Sequence, residues 1–413
     1  MNRRVVITGT GIVSCVGNNV KDFWYALTNG ICGLDKVDKF DESYRTRIGG
    51  EVKNFDFSQY MPLKEAKRLD LFCQFAVAAA DEAMNEAGLS RQLDGVDPTR
   101  VGCLVSSGIG GLRTFYDQAQ ILIERGPGRT SPLFIPMMIG DMASGALSIR
   151  YGAKGPNMGL VTACATGTHS IGESFWMIKR GDADIMITGG SEAAINEIGF
   201  AGFCSMKAMS QRNDDPKHAS RPFDMERDGF VMSEGSGVLV LEDLEHAQKR
   251  GANILAEIVG YGATGDAYHI TSPDPEGMGA ARAIMVAMKH AGINPEDVDY
   301  INAHGTSTEL NDKYETRALK VALGDYAYKV PVSSTKGVTG HGLGAAGGFE
   351  SIACIRSIID GIIPATINYE NPDPDCDLDI VPNTAREKSV RYAINTNLGF
   401  GGHNGAIIFK RFE

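Results

Sequence analysis

Short apolar runs alternate along the chain with longer stretches in which apolar residues recur every three or four positions. The short runs predict β-strands, because they are rich in Val and Ile and are bounded by Gly, Asp or Ser. The stretch LDLFCQFAVAAADEAMNEAG predicts an amphipathic helix. Nine runs are predicted as strands: RRVVITG, RVGCLVSS, DADIMITGG, SGVLVLED, NILAEIVGYG, VDYINAHG, VPVSST, RYAINTN and AIIFKRF. This alternation predicts layers of helices and sheet in an α/β protein.

A second series of strands and helices begins near the segment EDLEHAQKRGANILAEIVGYG. No low-complexity linker interrupts the chain there or elsewhere. We therefore expect two closely packed halves, residues 1–250 and 251–413, in a chain long enough to bury a large core. The identity between the two halves is too weak to establish a duplication.

Composition narrows the class of protein. The net charge of −11 argues against a general nucleic-acid binder, because phosphate binding needs a basic face. The eight cysteines are scattered without a CxxC pair, so we expect neither a metal site nor disulfides, and reduced thiols in the cytoplasm. The first residues run straight into a predicted strand without a signal peptide, and no apolar run reaches membrane-spanning length, so no membrane insertion is expected.

Cys164 lies in the stretch GLVTACATGTHS, among residues too small to form an ordinary core. The preceding NMGLVTA predicts a strand, and the following segment predicts a helix that ends at Gly181. At such a strand-to-helix turn the helix dipole and free backbone N–H groups favour a thiolate, and we expect a cysteine pKa below the usual value of about 8.5. Simple packing of a free cysteine is the alternative.

Two histidines follow predicted strands in loops rich in Gly and Thr. His304 lies in NAHGTST and His341 in SSTKGVTGHGLGAAG. A lone histidine is more often structural or exposed than catalytic. Together with an activated cysteine, the two histidines suggest covalent catalysis.

Four segments, in this order, resemble the active-site blocks of a known family: TACATGTHS, NAHGTST, SSTKGVTGHGLGAAG and GFGGHNG. They are similar to those of the condensing enzymes of fatty-acid synthesis, in the thiolase-like superfamily. The resemblance extends from VVITGTGIVS to the C-terminal strand and implies a five-layer αβαβα fold of two similar halves, and a homodimer. It implies that an acyl chain moves from acyl carrier protein onto Cys164, and that malonyl-carrier protein loses carbon dioxide and attacks the thioester. The product would be a 3-oxoacyl-carrier protein, and no cofactor is implied.

The resemblance also assigns roles to individual residues. The backbone N–H groups of Cys164 and Phe400 match the oxyanion donors. His304 and His341 match the pair that donates hydrogen bonds to the enolate formed by decarboxylation. Lys336 matches the active-site lysine, and its alternative role is an ion-pair partner that orients the loop.

Substrate-binding positions are matched in the same way. Phe400 resembles the phenylalanine that closes over the acylated cysteine, and Thr306 and Thr308 resemble the pair that binds the phosphopantetheine arm of the carrier. Ile109, in SSGIGGL, matches the far end of the acyl tunnel. A core aromatic, ordinary loop threonines and a core isoleucine are the plain alternatives.

A carrier protein is typically acidic, so an acidic enzyme must bind it through a local basic patch. MPLKEAKRLDLF contains Lys64, Lys67 and Arg68 at positions i, i+3 and i+4, on one face of a predicted helix. They resemble the family's docking residues, and a solvated basic face is the alternative.

Single residue positions distinguish this chain from several other members of the superfamily. Initiating synthases carry asparagine where this chain has His341, and a thiolase would have a second cysteine in the block GFGGHNG. Polyketide condensing enzymes share the catalytic residues and stay open as an alternative. A non-catalytic, chain-length-determining partner subunit typically has glutamine at the nucleophile, whereas this chain has Cys164. GTGIVS lacks the third glycine of a dinucleotide fingerprint, so nucleotide binding is not expected.

Overall fold

The computed structural model describes residues 3–413 and contains one large mixed sheet. Nine strands form it, in the order β4-β5-β6-β1-β7-β13-β12-β8-β9, while β2 pairs with β3 and β10 with β11. The nine strands of the large sheet coincide with the nine predicted runs, which confirms those predictions. The strands are β1 (Val5–Val13), β2 (Asp35–Lys36), β3 (Ile48–Gly49), β4 (Val101–Ser106), β5 (Ile185–Glu192), β6 (Gly235–Asp243), β7 (Ala256–Gly265), β8 (Tyr300–Asn302), β9 (Val332–Ser333), β10 (Ile362–Ile363), β11 (Arg386–Glu387), β12 (Tyr392–Gly399) and β13 (His403–Lys410).

Helices connect most strands of the large sheet, and α3 and α7 are the two predicted from sequence. They are α1 (Val20–Thr28), α2 (Leu63–Ala66), α3 (Leu71–Glu86), α4 (Leu112–Arg125), α5 (Phe134–Met138), α6 (Met142–Tyr151), α7 (Thr166–Arg180), α8 (Glu197–Met206), α9 (Leu244–Lys249), α10 (Met278–Ala291), α11 (Glu309–Leu323), α12 (Lys336–Thr339) and α13 (Ala346–Asp360). α7 ends as expected, because Gly181 adopts the left-handed conformation and donates to carbonyl oxygens of the last turn. Within residues 3–413 no helix is both long and apolar enough to cross a membrane.

The large sheet repeats one arrangement of strands. In the first half β4 is parallel to β5, and β5–β6 and β6–β1 are antiparallel. In the second half β8 is parallel to β12, and β12–β13 and β13–β7 are antiparallel. β1 and β7 then join the two halves through antiparallel pairing. The repeated topology reveals a similarity between the halves that their sequences are too different to show.

Helices cover and separate the two half-sheets. α7 and α13 pack against each other between the halves, with strands of both halves around them. α3 and α6 cover the outer face of the first half, and α10, packed on α11, covers the second. These elements form five layers in the order αβαβα, so the fold class implied by the resemblance is confirmed.

Glycine pairs in β1 and β7 explain how the outer helices approach the sheet. A Cβ on Gly9 or Gly11 would lie 2.0 or 1.9 Å from a carbonyl oxygen of α3. A Cβ on Gly260 or Gly262 would lie 2.2 or 2.0 Å from a carbonyl oxygen of α10. Any larger residue would push the helix away. The glycines of GTGIVS therefore have a packing role, which the second half repeats.

One predicted strand is absent. The segment NMGLVTA forms a single β-bridge, between Asn157 and Cys103 of β4, and then leaves the sheet. Val161 is 61% exposed, and the turn that carries Cys164 begins at Ala163. The prediction was wrong for this chain because β4 is an edge strand, so this segment has no strand on its outer side to complete a ladder.

Candidate active site

Cys164 lies in a tight turn, Ala163–Ala165, directly before α7. Ala163 has a φ of 50°, in the left-handed region that alanine rarely adopts. The second half repeats this turn at Leu343–Ala345 before α13, where Leu343 also has a φ of 50°. The two turns contact each other, since both central helices begin at the same place. Cys164 is therefore held by strained backbone at the centre of the molecule, where the halves meet.

The thiol of Cys164 is not poised as a thiolate. Burial raises its pKa to about 12, and the nearby ammonium group of Lys336 only partly opposes this effect. The expectation of a lowered pKa was wrong, because the loss of hydration outweighs the helix dipole when the thiol is enclosed. Any reaction of this thiol as a nucleophile therefore requires a base that takes its proton.

Two backbone N–H groups beside the thiol are free to bind an oxyanion. In the part of the chain that the structure describes, the N–H groups of Cys164 and Phe400 donate to no other group. Gly399 brings these two backbones together: a Cβ on it would lie 2.5 Å from the carbonyl oxygen of Thr162 and 3.3 Å from the nitrogen of Cys164. Fixed donors of this kind stabilise the negative oxygen of a tetrahedral intermediate.

His304 follows β8 and is held by two polar side chains. Its backbone N–H donates to Oε1 of Glu315 over 2.7 Å, and the N–H of Gly305 donates to Oε2 of the same carboxylate over 2.7 Å. The amide of Asn397 donates to Nδ1 of the imidazole over 3.1 Å. This contact leaves the ring proton on Nε2. Burial, together with the charge of Lys336, holds the pKa of His304 well below its usual value.

His341 faces His304 across the site. The two rings lie 5.1 Å apart at 84°, and the edge of Phe230 packs against His341. The backbone N–H of His341 donates to the carbonyl of Val231 over 2.7 Å, which fixes the loop. Burial and Lys336 again lower the imidazole pKa. Both imidazoles are therefore neutral near pH 7, and each carries one N–H that can donate.

Lys336 lies behind the two histidines rather than on the cavity wall. Its ammonium group forms a buried ion pair with Glu350, and the other oxygen of Glu350 accepts from the amide of Asn397 over 2.7 Å. Asn397 in turn contacts His304, so one chain of polar contacts runs from the lysine to the imidazole. This geometry supports the ion-pair role left open for Lys336. Asn397 was missed in the sequence, where its only signal is a polar residue within an apolar strand.

A cavity of about 390 Å³ opens onto these groups. The hydroxyl oxygens of Thr306 and Thr308 lie 2.9 Å apart on its wall. The predicted residues that it brings together are Cys164, His304, His341, Thr306, Thr308 and Phe400. No group of three or more side chains suited to a metal ion occurs among residues 3–413.

Besides Lys336, four predicted residues lie outside this cavity. Ile109 follows β4 in a loop held by Glu192, which accepts from the hydroxyl of Ser107 over 2.5 Å, and the isoleucine is 40% exposed. The other three are exposed in α2 or just after it: Lys64, Lys67 and Arg68. Helix α2 ends at Ala66 and is therefore shorter than the predicted helix, so Lys67 and Arg68 follow it.

Comparison with known proteins agrees with this site. Residues 2–247 match the N-terminal domain of beta-ketoacyl synthases, and residues 255–370 match the C-terminal domain. The chain belongs to the beta-ketoacyl synthase family. It is 53% identical over 412 residues to 3-oxoacyl-[acyl-carrier-protein] synthase 2 of Synechocystis sp., covering 100% of this chain and 99% of the relative. It is 54% identical over 415 residues to the enzyme of the same name from Staphylococcus aureus, covering 100% and 99%.

Solved structures of ketosynthases share the whole fold. A type II polyketide ketosynthase in complex with its acyl-carrier protein is 34% identical, with a TM-score of 0.92 and 100% of both chains covered. A beta-ketoacyl synthase from Burkholderia phymatum is 32% identical, with the same TM-score and coverage. The thiolase-like architecture of this beta-ketoacyl synthase is therefore that of its family.

Proposed function

We propose that this beta-ketoacyl synthase catalyses the decarboxylative condensation of an acyl-enzyme thioester with malonyl-acyl carrier protein in fatty-acid chain elongation. The observation that carries the proposal is one cavity lined by a buried thiol and two neutral imidazoles, those of Cys164, His304 and His341. A thiol accepts the acyl chain as a thioester. Neutral imidazoles can donate hydrogen bonds to an enolate without protonating it outright.

The first half-reaction is acyl transfer to Cys164. Sγ attacks the carbonyl carbon of the acyl-pantetheine thioester, and the negative oxygen accepts from the N–H groups of Cys164 and Phe400. The pantetheine thiolate then leaves. Burial raises the pKa of the Cys164 thiol to about 12, so its proton is carried by a neutral imidazole to the departing sulfur.

The second half-reaction forms the carbon–carbon bond. The malonyl thioester loses carbon dioxide, and the enolate oxygen accepts from the Nε2–H of His304 and from the imidazole of His341. The carbanion attacks the acyl carbon on Cys164, and the cysteine sulfur leaves and takes up a proton. The product is a 3-oxoacyl-carrier protein two carbons longer.

Substrate delivery involves the cavity wall and the surface. The hydroxyls of Thr306 and Thr308 bind the pantetheine arm, Phe400 closes over the acylated cysteine, and the exposed cations Lys64, Lys67 and Arg68 dock the acidic carrier. Ile109 borders the far end of the acyl chain.

We place the enzyme in the cytoplasm, an assignment supported by its eight free cysteines. We divide the chain into two structural halves. Residues 1–250 contain the nucleophile, and residues 251–413 contain the two histidines.

A second copy of this chain completes the edge of the sheet. Helices α4 and α5 bury none of their residues, and Met158 and Val161 are exposed just before the Cys164 turn. Residues 156–158 extend the sheet beyond β4, and their outer edge carries free backbone groups that the same segment of another copy can pair with. This pairing would account for the strand-like pattern of NMGLVTA.

Mass measurement in solution tests this assembly. Light scattering should give twice the chain mass of 44.3 kDa. Replacing Leu122 and Ile135, which are 49% and 55% exposed, with Asp should give single chains. A monomeric wild-type protein would contradict the homodimer.

Incubation with acyl-carrier protein and then malonyl-carrier protein tests the reaction. Mass spectrometry should find an acyl adduct on Cys164, followed by one 3-oxoacyl product elongated once. Repeated condensation on the same chain would favour a polyketide-type ketosynthase instead. The absence of any adduct would support a non-catalytic partner subunit.

A further inference from the structure

Arg227 is a buried arginine that reaches the wall of the active-site cavity. Its Nε–H donates to the carbonyl of Thr308 over 3.1 Å, and Nη2 donates to that of Glu309 over 2.9 Å. Nη1 donates to the carboxylate of Asp373 over 2.6 Å and to the carbonyl of Asp224 over 2.8 Å. The guanidinium therefore joins the start of α11 to two other segments of the chain.

The start of α11 has an unusual threonine. Thr308 is the residue before the helix, where a threonine commonly accepts a hydrogen bond from the first helical N–H groups. Its side chain accepts none of them and lies 2.9 Å from the hydroxyl of Thr306 instead. Both hydroxyls are thereby left facing the cavity, on a backbone that Arg227 holds.

The residue between the two threonines depends on the same arginine. Ser307 has a φ of 68°, and its backbone N–H donates to both oxygens of Asp312 over 3.2 Å. Asp312 is fully buried, so its charge needs a counter-charge. Arg227 supplies one, with Nε 3.8 Å from the carboxylate. The strained turn that orients the threonine pair is held in place by this charge.

We propose that Arg227 is a positioning residue that sets the hydroxyls of Thr306 and Thr308 for the pantetheine arm. This inference rests on the proposed function. Lysine cannot replace the arginine, because an ammonium group lacks the planar array of donors that reaches Thr308, Glu309 and Asp373 at once. Arg227 therefore affects the binding of every pantetheine thioester and leaves the reactivity of Cys164 unchanged.

The test is R227K, with R221K as its matched control. Arg221 is also buried, and its side chain pairs with Asp224 and Glu370. Its contact with the threonine turn is made by its backbone N–H, which donates to the hydroxyl of Ser307 over 2.9 Å and is kept in R221K. For an acyl-pantetheine thioester, R227K should raise KM about tenfold and change kcat less than about twofold. A tenfold rise in KM is the effect expected for the loss of one hydrogen bond that involves a charged group. Alkylation of Cys164 by iodoacetamide should proceed at the wild-type rate in both variants. An equal rise of KM in R221K, or slower alkylation in R227K alone, would overturn the proposal.

A double-mutant cycle separates positioning from general damage. In a Thr306→Val, Thr308→Val background, R227K should raise KM by less than about twofold, because the groups that it positions are gone. A full tenfold rise in that background would overturn the positioning role and leave the threonines as pantetheine ligands. If the valine variant itself keeps the wild-type KM, the pantetheine assignment fails, and the role of Arg227 fails with it.

Discussion

Lys336 and Glu350 form an ion pair with both side chains almost completely buried, 14 residues apart in sequence. The lysine lies at the start of α12, and the glutamate lies one turn into the central helix α13. Asn397 connects the glutamate to His304. The pair is therefore in polar contact with the site, and the charge of Lys336 adds to burial in lowering the pKa of both imidazoles.

Removing one partner of this pair should be costly. K336M leaves the carboxylate of Glu350 buried without its counter-charge, so we expect the free energy of unfolding at pH 7 to fall by about 3–5 kcal/mol. K336M/E350Q removes both charges and should recover most of the loss. The control is K313M, at a partly exposed pair with Asp375, which should cost at most about 1 kcal/mol. Denaturant titrations measure all three, and equal stability of K336M and K313M would contradict the account.

The reactivity of Cys164 should depend steeply on pH. Its pKa is raised to about 12, and only the thiolate reacts with iodoacetamide, so the alkylation rate should rise about tenfold per pH unit from pH 7 to pH 9. A cysteine of ordinary pKa would begin to level off near about 8.5. Quenched-flow alkylation, with the modified peptide identified by mass spectrometry, gives the profile. A plateau below pH 8 would show a thiolate that burial has not suppressed.

The two half-reactions should separate on mutation. Cys164→Ala should abolish acyl transfer yet keep part of the malonyl decarboxylation, whereas His341→Ala should still be acylated and should decarboxylate about 10²–10³-fold more slowly, as for a lost oxyanion donor. Decarboxylation by the Cys164→Ala variant should stay level from pH 8 to pH 6, because both imidazole pKa values lie well below the usual value of about 6.5. Carbon dioxide release and the mass of the acyl adduct report the two steps. Equal losses of both activities in both variants would contradict these roles.

Carrier docking should depend on the cations near α2. Charge reversal at Lys67 and Arg68 should raise KM for acyl-carrier protein roughly fivefold, because each exposed ion pair is worth about 0.2–1 kcal/mol, and added salt should narrow the gap. KM for a small pantetheine thioester should stay unchanged. The matched control reverses two other exposed lysines, Lys249 and Lys289, at the ends of α9 and α10. A similar rise in the control would assign the effect to net charge alone.

Chain-length preference tests the assignment of Ile109. Ile109→Phe should shorten the longest accepted acyl chain, because the larger ring would occupy space at the end of the acyl tunnel that Ile109 is proposed to border. Val321→Phe, at a half-exposed position on the outer helix α11, serves as control and should keep the wild-type profile. Competition assays across a series of acyl-carrier substrates give both profiles. An unchanged profile in the Ile109 variant removes the residue from the acyl tunnel.

Local pattern was sufficient for the strands of the large sheet and for two of the helices, α3 and α7. The nine strands of the large sheet and the helix after Cys164 follow from runs of apolar residues and from turn glycines such as Gly181, because burial on a sheet or helix imposes its own period on the sequence. The grouping of Cys164, His304 and His341 was also predicted, from loops that follow strands. NMGLVTA misled the same reasoning, because an apolar run forms a strand only where a neighbouring strand can pair with it.

Tertiary structure alone decided the electrostatics of the site. The helix dipole that should lower the pKa of Cys164 is a local property, but the enclosure that raises it comes from both halves of the chain. The contact of Asn397 with His304 spans 93 positions, and that with Thr168 spans 229. No local pattern encodes such contacts, because they depend on where the two half-sheets bring distant strands together. The sequence determined which residues are candidates for the chemistry, and the packing of the two halves determined their protonation.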